Sequence, residues 1–157
     1  MPPSSDPPEK QLKAFLAKYT PDIVKQTNAV LDKMRTLYPG AIEMVYDNYN
    51  ALVIGFGPTE KPSEAIFSVV PFPQWVTLCF LQWNGRFDDP HGLLRGSGNI
   101  VRNIRLDSPA TLDDPRVREL MEKAIRVADI PFDPTLGPSA GRLIIRSVSV
   151  KQRPRRP

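Results

Sequence analysis

Between Ile42 and Trp83 the chain carries four strand-like runs joined by connectors of only a few residues. Ile42, Met44 and Tyr46 alternate with Glu43, Val45 and Asp47, and Asn48-Tyr49-Asn50 makes a turn. Residues 51–57 form a second run ended by Gly57-Pro58, with Glu60-Lys61-Pro62-Ser63 as the next loop. Residues 64–70 and 74–83 follow, separated by Pro71-Phe72-Pro73. A parallel pair needs a crossover of a dozen or more residues, so these spacings predict an antiparallel meander. A fifth run at 99–106 and a last one at 143–150 bring the expected sheet to five or six strands.

Helical periodicity flanks the meander. Asp6-Pro7-Pro8-Glu9 reads as a cap and first turn, predicting a helix over about 8–19 with Leu12, Phe15 and Leu16 on one face. Thr20-Pro21-Asp22 repeats the pattern and opens a helix over about 21–37, striped by Ile23, Thr27, Val30, Leu31 and Met34. Asp113-Asp114-Pro115 starts a third over about 115–129, with Val117, Leu120, Met121, Ala124 and Ile125 apolar. The economical solution is an α+β two-layer sandwich, an antiparallel sheet with two main helices on one face. Val76, Leu78 and Phe80 are then expected in the core with the helix stripes.

The 157 residues suit one domain, read as a flexible segment 1–8, a domain 9–150 and a basic Pro/Arg tail 151–157. The net charge of +4 is unevenly placed. Residues 142–157 carry +6 with no acid, and residues 1–141 carry −2. Such a tail can make weak, nonspecific contacts with anions or nucleic acid, or serve only as a solubilising end that buries little. No apolar run reaches the ~18 residues of a membrane span. The N-terminus lacks a basic start and an apolar stretch, which predicts no secretory signal and no membrane association. The single Cys79 excludes an internal disulfide and a Cys-based zinc site. Together these features predict a cytoplasmic protein.

Functional candidates are few. With Val76, Leu78 and Phe80 inward, Trp75, Thr77, Cys79, Leu81 and Trp83 point to the open sheet face, where Trp75 and Trp83 form a candidate partner surface. The alternative is that a loop or the last strand covers them. The long loop 86–99 holds the only histidine, and Asp88, Asp89 and His91 are candidate metal ligands or, alternatively, turn residues. Arg95-Gly96-Ser97-Gly98, with Arg102 and Arg105 downstream, is a candidate anion site, since glycines let backbone N–H groups approach a ligand. The alternative is a tight turn ahead of a strand. No Gly-x-Ser-x-Gly elbow is present, Cys79 lies among apolar neighbours, and Asp107, Asp113 and Asp114 read as turn and cap residues, so an enzyme is not expected.

The block Asp89-Pro90-His91-Gly92-Leu93-Leu94-Arg95-Gly96-Ser97-Gly98, followed by Val101-Arg102-Asn103-Ile104-Arg105-Leu106, resembles the YdhG-like proteins, a family of domains of unknown function. The resemblance covers roughly residues 20–130. It implies a frataxin-like fold and, for the family's best-known group, a role as intracellular iron chaperones. Frataxins hold iron on an acidic ridge of the first helix and neighbouring strand. Here the matching helix offers Asp22 and Asp32 against Lys25, Lys33 and Arg35, with Glu43 and Asp47 on the next strand. Glu43, Asp47, Asp88, Asp89 and His91 are thus the expected weak ligands if iron is bound. An exposed sheet tryptophan, Trp75 or Trp83, would contact a partner. The expectation is a non-enzymatic binding protein that handles iron or docks a partner. The alternative is an anion or nucleic-acid binder using Arg95, Arg102, Arg105 and the tail.

Overall fold

Proline at the first turn starts each helix. The computed structural model describes residues 6–137 and 141–157. It places α1 at Pro8–Leu16, α2 at Pro21–Leu37 and α3 at Pro115–Val127. Proline suits this position because its missing N–H has no intrahelical acceptor there. Asp114 caps α3 by accepting from the Arg116 N–H. Asp6 does not cap α1, whose N-cap is Pro7. Of the segment 1–8 expected to be flexible, residues 1–5 lie outside the described residues, and Pro8 is already helical.

The strands are β1 (Ile42–Asp47), β2 (Leu52–Gly57), β3 (Phe67–Pro71), β4 (Val76–Phe80), β5 (Arg102–Leu106) and β6 (Leu143–Val148). They form one sheet in the order β5-β4-β3-β2-β1-β6. The meander β1 to β5 is antiparallel throughout, as the short connectors dictate. The fully antiparallel expectation is corrected at β6, which pairs parallel with β1. The chain between β5 and β6 contains α3 and a long link, ample for a crossover to the far edge. The sheet is therefore mixed, and the architecture is α+β with three helices.

Strand parity sets the core. Leu78 lies opposite Val69 and Ile104, Phe80 opposite Phe67, and Val76 opposite Leu106. These residues cluster with Leu16, Ile23, Val30, Met34, Leu120 and Met121, and Ile125 packs partly buried against them. The Phe80 ring meets Phe67 edge-on, with centroids 5.5 Å apart. A smaller cluster of Ile42, Met44 and Ala65, flanked by Tyr46, Leu81 and Ile144, occupies the other face. Gly57 lets the segment leading to Ala65 cross that face closely, since a Cβ there would lie 3.2 Å from the Ala65 Cα.

The C-terminal segment departs most from expectation. Residues 151–157 do not all hang free, because Arg155 is only 4% exposed and Asp47 is fully buried. Their ion pair measures 3.0 Å, and the second Asp47 oxygen holds Lys18 Nζ at 2.6 Å. A buried carboxylate needs paired cations, which composition alone does not reveal.

The Phe80→Ala variant is expected to lose about 3–5 kcal/mol of stability by denaturant unfolding. A loss below about 1 kcal/mol would contradict the parity that places Phe80 in the main core.

Candidate functional site

The two tryptophans part company across the sheet. Trp75 directly precedes β4 with parity opposite to the inward-facing Val76, and its ring lies 5.5 Å from Phe72. Trp83 lies beyond the end of β4, packs against the main core and donates its indole N–H to the Phe87 carbonyl at 3.2 Å. Only Trp75 keeps the open-face position expected of both. Each ring carries an arginine. The Arg105 guanidinium sits 4.5 Å from the Trp75 ring centroid, and that of Arg102 sits 4.2 Å from Trp83. Cation–π stacking of this kind fixes a guanidinium plane while leaving its N–H edges free to donate.

Arg102 and Arg105 do not converge on one cradle. Arg102 is opposite the inward-facing Phe80, whereas Arg105 is opposite Thr77, so they fall on different faces. What they share is an edge, because β5 ends the sheet. Arg95 lies along that edge, bridged to Asn103 by reciprocal backbone bonds of 2.7 and 2.9 Å. Gly96 makes this return possible with φ of 111°, in the region that favours glycine. The Gly98 contact with Arg102 uses the glycine carbonyl as acceptor, so it is not a backbone N–H cradle for an anion. Ser97 and Gly98 are exposed on the same turn. Among the described residues, Arg95, Arg102 and Arg105 form no ion pair, although most other arginines of the body do.

The candidate metal ligands are dispersed and engaged. Glu43 receives a bidentate bond from Arg35, 2.8 Å at each oxygen. That bond raises the Arg35 guanidinium pKa further above its ordinary value. Asp47 is bound by Lys18 and Arg155. Asp88 pairs with Lys123 at 2.9 Å, and this bond holds its carboxyl below the usual carboxylate range. Asp89 accepts from the Leu93 and Leu94 N–H groups at 3.0 and 2.8 Å, a turn-forming role. His91 is exposed. Among the described residues, no three His, Cys, Asp or Glu side chains group closely enough to hold a metal ion. The expected iron ligands are therefore not brought together, and each of the four carboxylates is bound to a cation or backbone N–H.

Two features were not apparent in the sequence. A groove of about 480 Å³ runs between α1, α2 and β6, lined by Leu12, Leu16, Val24 and Leu143 beside the Arg35–Glu43 pair. The other is the site around Asp47. Its signal was present in the alternation of β1, which puts Asp47 on the same face as the inward-facing Val45. A carboxylate at such a position requires a cation, but the pattern does not say which.

Cys79 stands opposite Ser68 and Asn103 on the face away from the helices. Burial pushes its thiol pKa up, despite a compensating hydrogen bond with Ser68. A raised thiol pKa means less thiolate at neutral pH, and the thiolate is the nucleophile. Alkylation by iodoacetamide at neutral pH is expected to run slower than that of a free cysteine and to accelerate on denaturation. Equal rates in the folded and unfolded states would contradict this environment.

Among the described residues, no helix is long and apolar enough to cross a membrane. No family model, curated protein or solved structure matches the chain.

Proposed function

We propose that this chain is a non-enzymatic binding protein that docks an acidic segment of a protein partner along the arginine-lined β5 edge. The observation that carries the reading is the pair of arginine–tryptophan stacks flanking β5, with Arg95 bridged between them. Three guanidinium groups lie along one edge without a carboxylate partner among the described residues. Arginine and tryptophan are the residue types that most often dominate binding energy at interfaces. Carboxylates complement the free N–H edges of a stacked guanidinium. Single-stranded nucleic acid is a poorer fit, because its bases require uncovered aromatic faces and here an arginine lies over each indole.

Membership of the YdhG-like family remains part of this proposal, supported by the block 89–106 that supplies the loop and β5. Iron handling is given less weight, because Glu43, Asp47, Asp88 and Asp89 are already engaged.

The test uses the intrinsic fluorescence of Trp75 and Trp83, titrated with a short oligoglutamate peptide. A saturable change that weakens with salt is expected, and replacing Arg95, Arg102 and Arg105 together by Ala should lower affinity by about tenfold or more. Unchanged affinity in the triple variant would overturn the proposal. Tighter binding of a single-stranded oligonucleotide of equal charge would transfer the surface to nucleic acid.

A further inference from the structure

Arg155, beyond β6, is held as a ligand is held. Arg155 Nη2 donates to Asp47 Oδ1 at 3.0 Å and to the Asn48 carbonyl at 2.5 Å. Its Nη1 donates to the Tyr49 carbonyl at 3.4 Å and to the Arg153 carbonyl at 3.5 Å. The guanidinium carbon lies 6.0 Å from the centroid of the Tyr19 ring. A carboxylate, two backbone carbonyls and an aromatic ring, all from residues 19–49, thus surround a cation supplied by residue 155. Arg155 Nε is buried with no hydrogen-bond partner. The pocket therefore reads the two terminal nitrogens of a guanidinium and makes no use of the substituted one.

Two further observations bear on how firmly the segment is held. Lys151, Arg153, Pro154, Arg156 and Pro157 are exposed, so Arg155 is the one buried side chain of the segment, which Gln152, the Arg153 N–H and Arg156 also tie to residues 17–49. Asp47 also keeps a cation when Arg155 leaves, because Lys18 binds its other oxygen at 2.6 Å. Closure places two cations on one buried carboxylate, and opening leaves a matched pair.

We propose that the pocket of Tyr19, Asp47, Asn48 and Tyr49 is a binding site for a monosubstituted guanidinium group, with Arg155 as its resident ligand in cis. The corresponding ligand in trans is an arginine side chain of another polypeptide, admitted when Arg155 is displaced. This site is built from β1, the β1–β2 turn and Tyr19 between α1 and α2, whereas the arginine-lined edge is β5.

The test is chemical rescue of the full-length Arg155→Ala variant with methylguanidinium. A saturable rise of several degrees in the thermal midpoint is expected in the variant. The wild-type chain, its site filled, should show no such rise. Methylammonium carries the same charge without the planar fork and should be without effect, as should methylguanidinium on a variant that also carries Asp47→Asn. An equal response to both cations, or in wild type and variant alike, would overturn the proposal. If Arg155→Ala does not fold alone, recovery of folded protein is measured on refolding with each cation. Recovery with methylguanidinium only supports the site, and recovery with neither or both overturns it.

Discussion

A carboxylate buried on the helix side of β1 sets the terms for both ends of this molecule. Asp47 has no exposed surface, and an isolated charge in that position would cost several kcal/mol. Lys18, just beyond α1, answers one oxygen, and Arg155, beyond β6, answers the other. Gln152 reinforces the arrangement by accepting from Lys18 and donating to the Asp47 carbonyl. Arg156 donates to the carbonyls of Lys18 and Ala17 at the end of α1, where partial negative charge gathers. One acidic side chain thereby fixes the exit of the first helix and the return of the last segment.

Glu43 repeats the theme two alternations earlier on β1, with Arg35 of α2 as its partner. Both acids share a face with Val45, while Ile42 and Met44 build the lesser cluster opposite. The edge of the helix layer over β1 is thus ionic where the middle of the sheet is apolar. The groove beside the Arg35–Glu43 pair lies along that same margin. The β5 end is organised differently, by guanidinium groups stacked on indole rings rather than paired with carboxylates.

The sequence is most legible where information is local. The helix starts at Pro8, Pro21 and Pro115 follow from the preference of proline for the first turn, and the connectors of the meander dictate its direction. The inward parity of Val76, Leu78 and Phe80 follows from matching one face of a strand to three helical stripes. The parallel docking of β6 was not legible, because a long crossover is compatible with either direction and either edge. The burial of Arg155 was hidden for a related reason. Its partner lies 108 positions away, and an Arg/Pro-rich end has no periodicity to reveal a buried side. Alternation continued past Phe80 puts Trp83 on the open face, but β4 ends at Phe80 and Trp83 packs against the main core. The candidate site was read in its residues but not its shape, since only the register of β5 shows that Arg102 and Arg105 occupy opposite faces of a shared edge.

The parallel docking of β6 on β1 has a consequence for synthesis. β1 is among the first parts of the sheet to be made, while its outer neighbour is made almost last. At about 5–20 residues per second, the 108 positions between Asp47 and Arg155 correspond to roughly 5–20 s of elongation. A sheet that formed before β6 arrived would have β2 on one side of β1 and an unsatisfied row of backbone donors and acceptors on the other. Such an edge would be largely apolar, and Glu43 and Asp47 supply the only charges on that strand to discourage pairing with a neighbouring chain. The same acids that demand cations in the finished fold would first guard an edge left open until β6 docks.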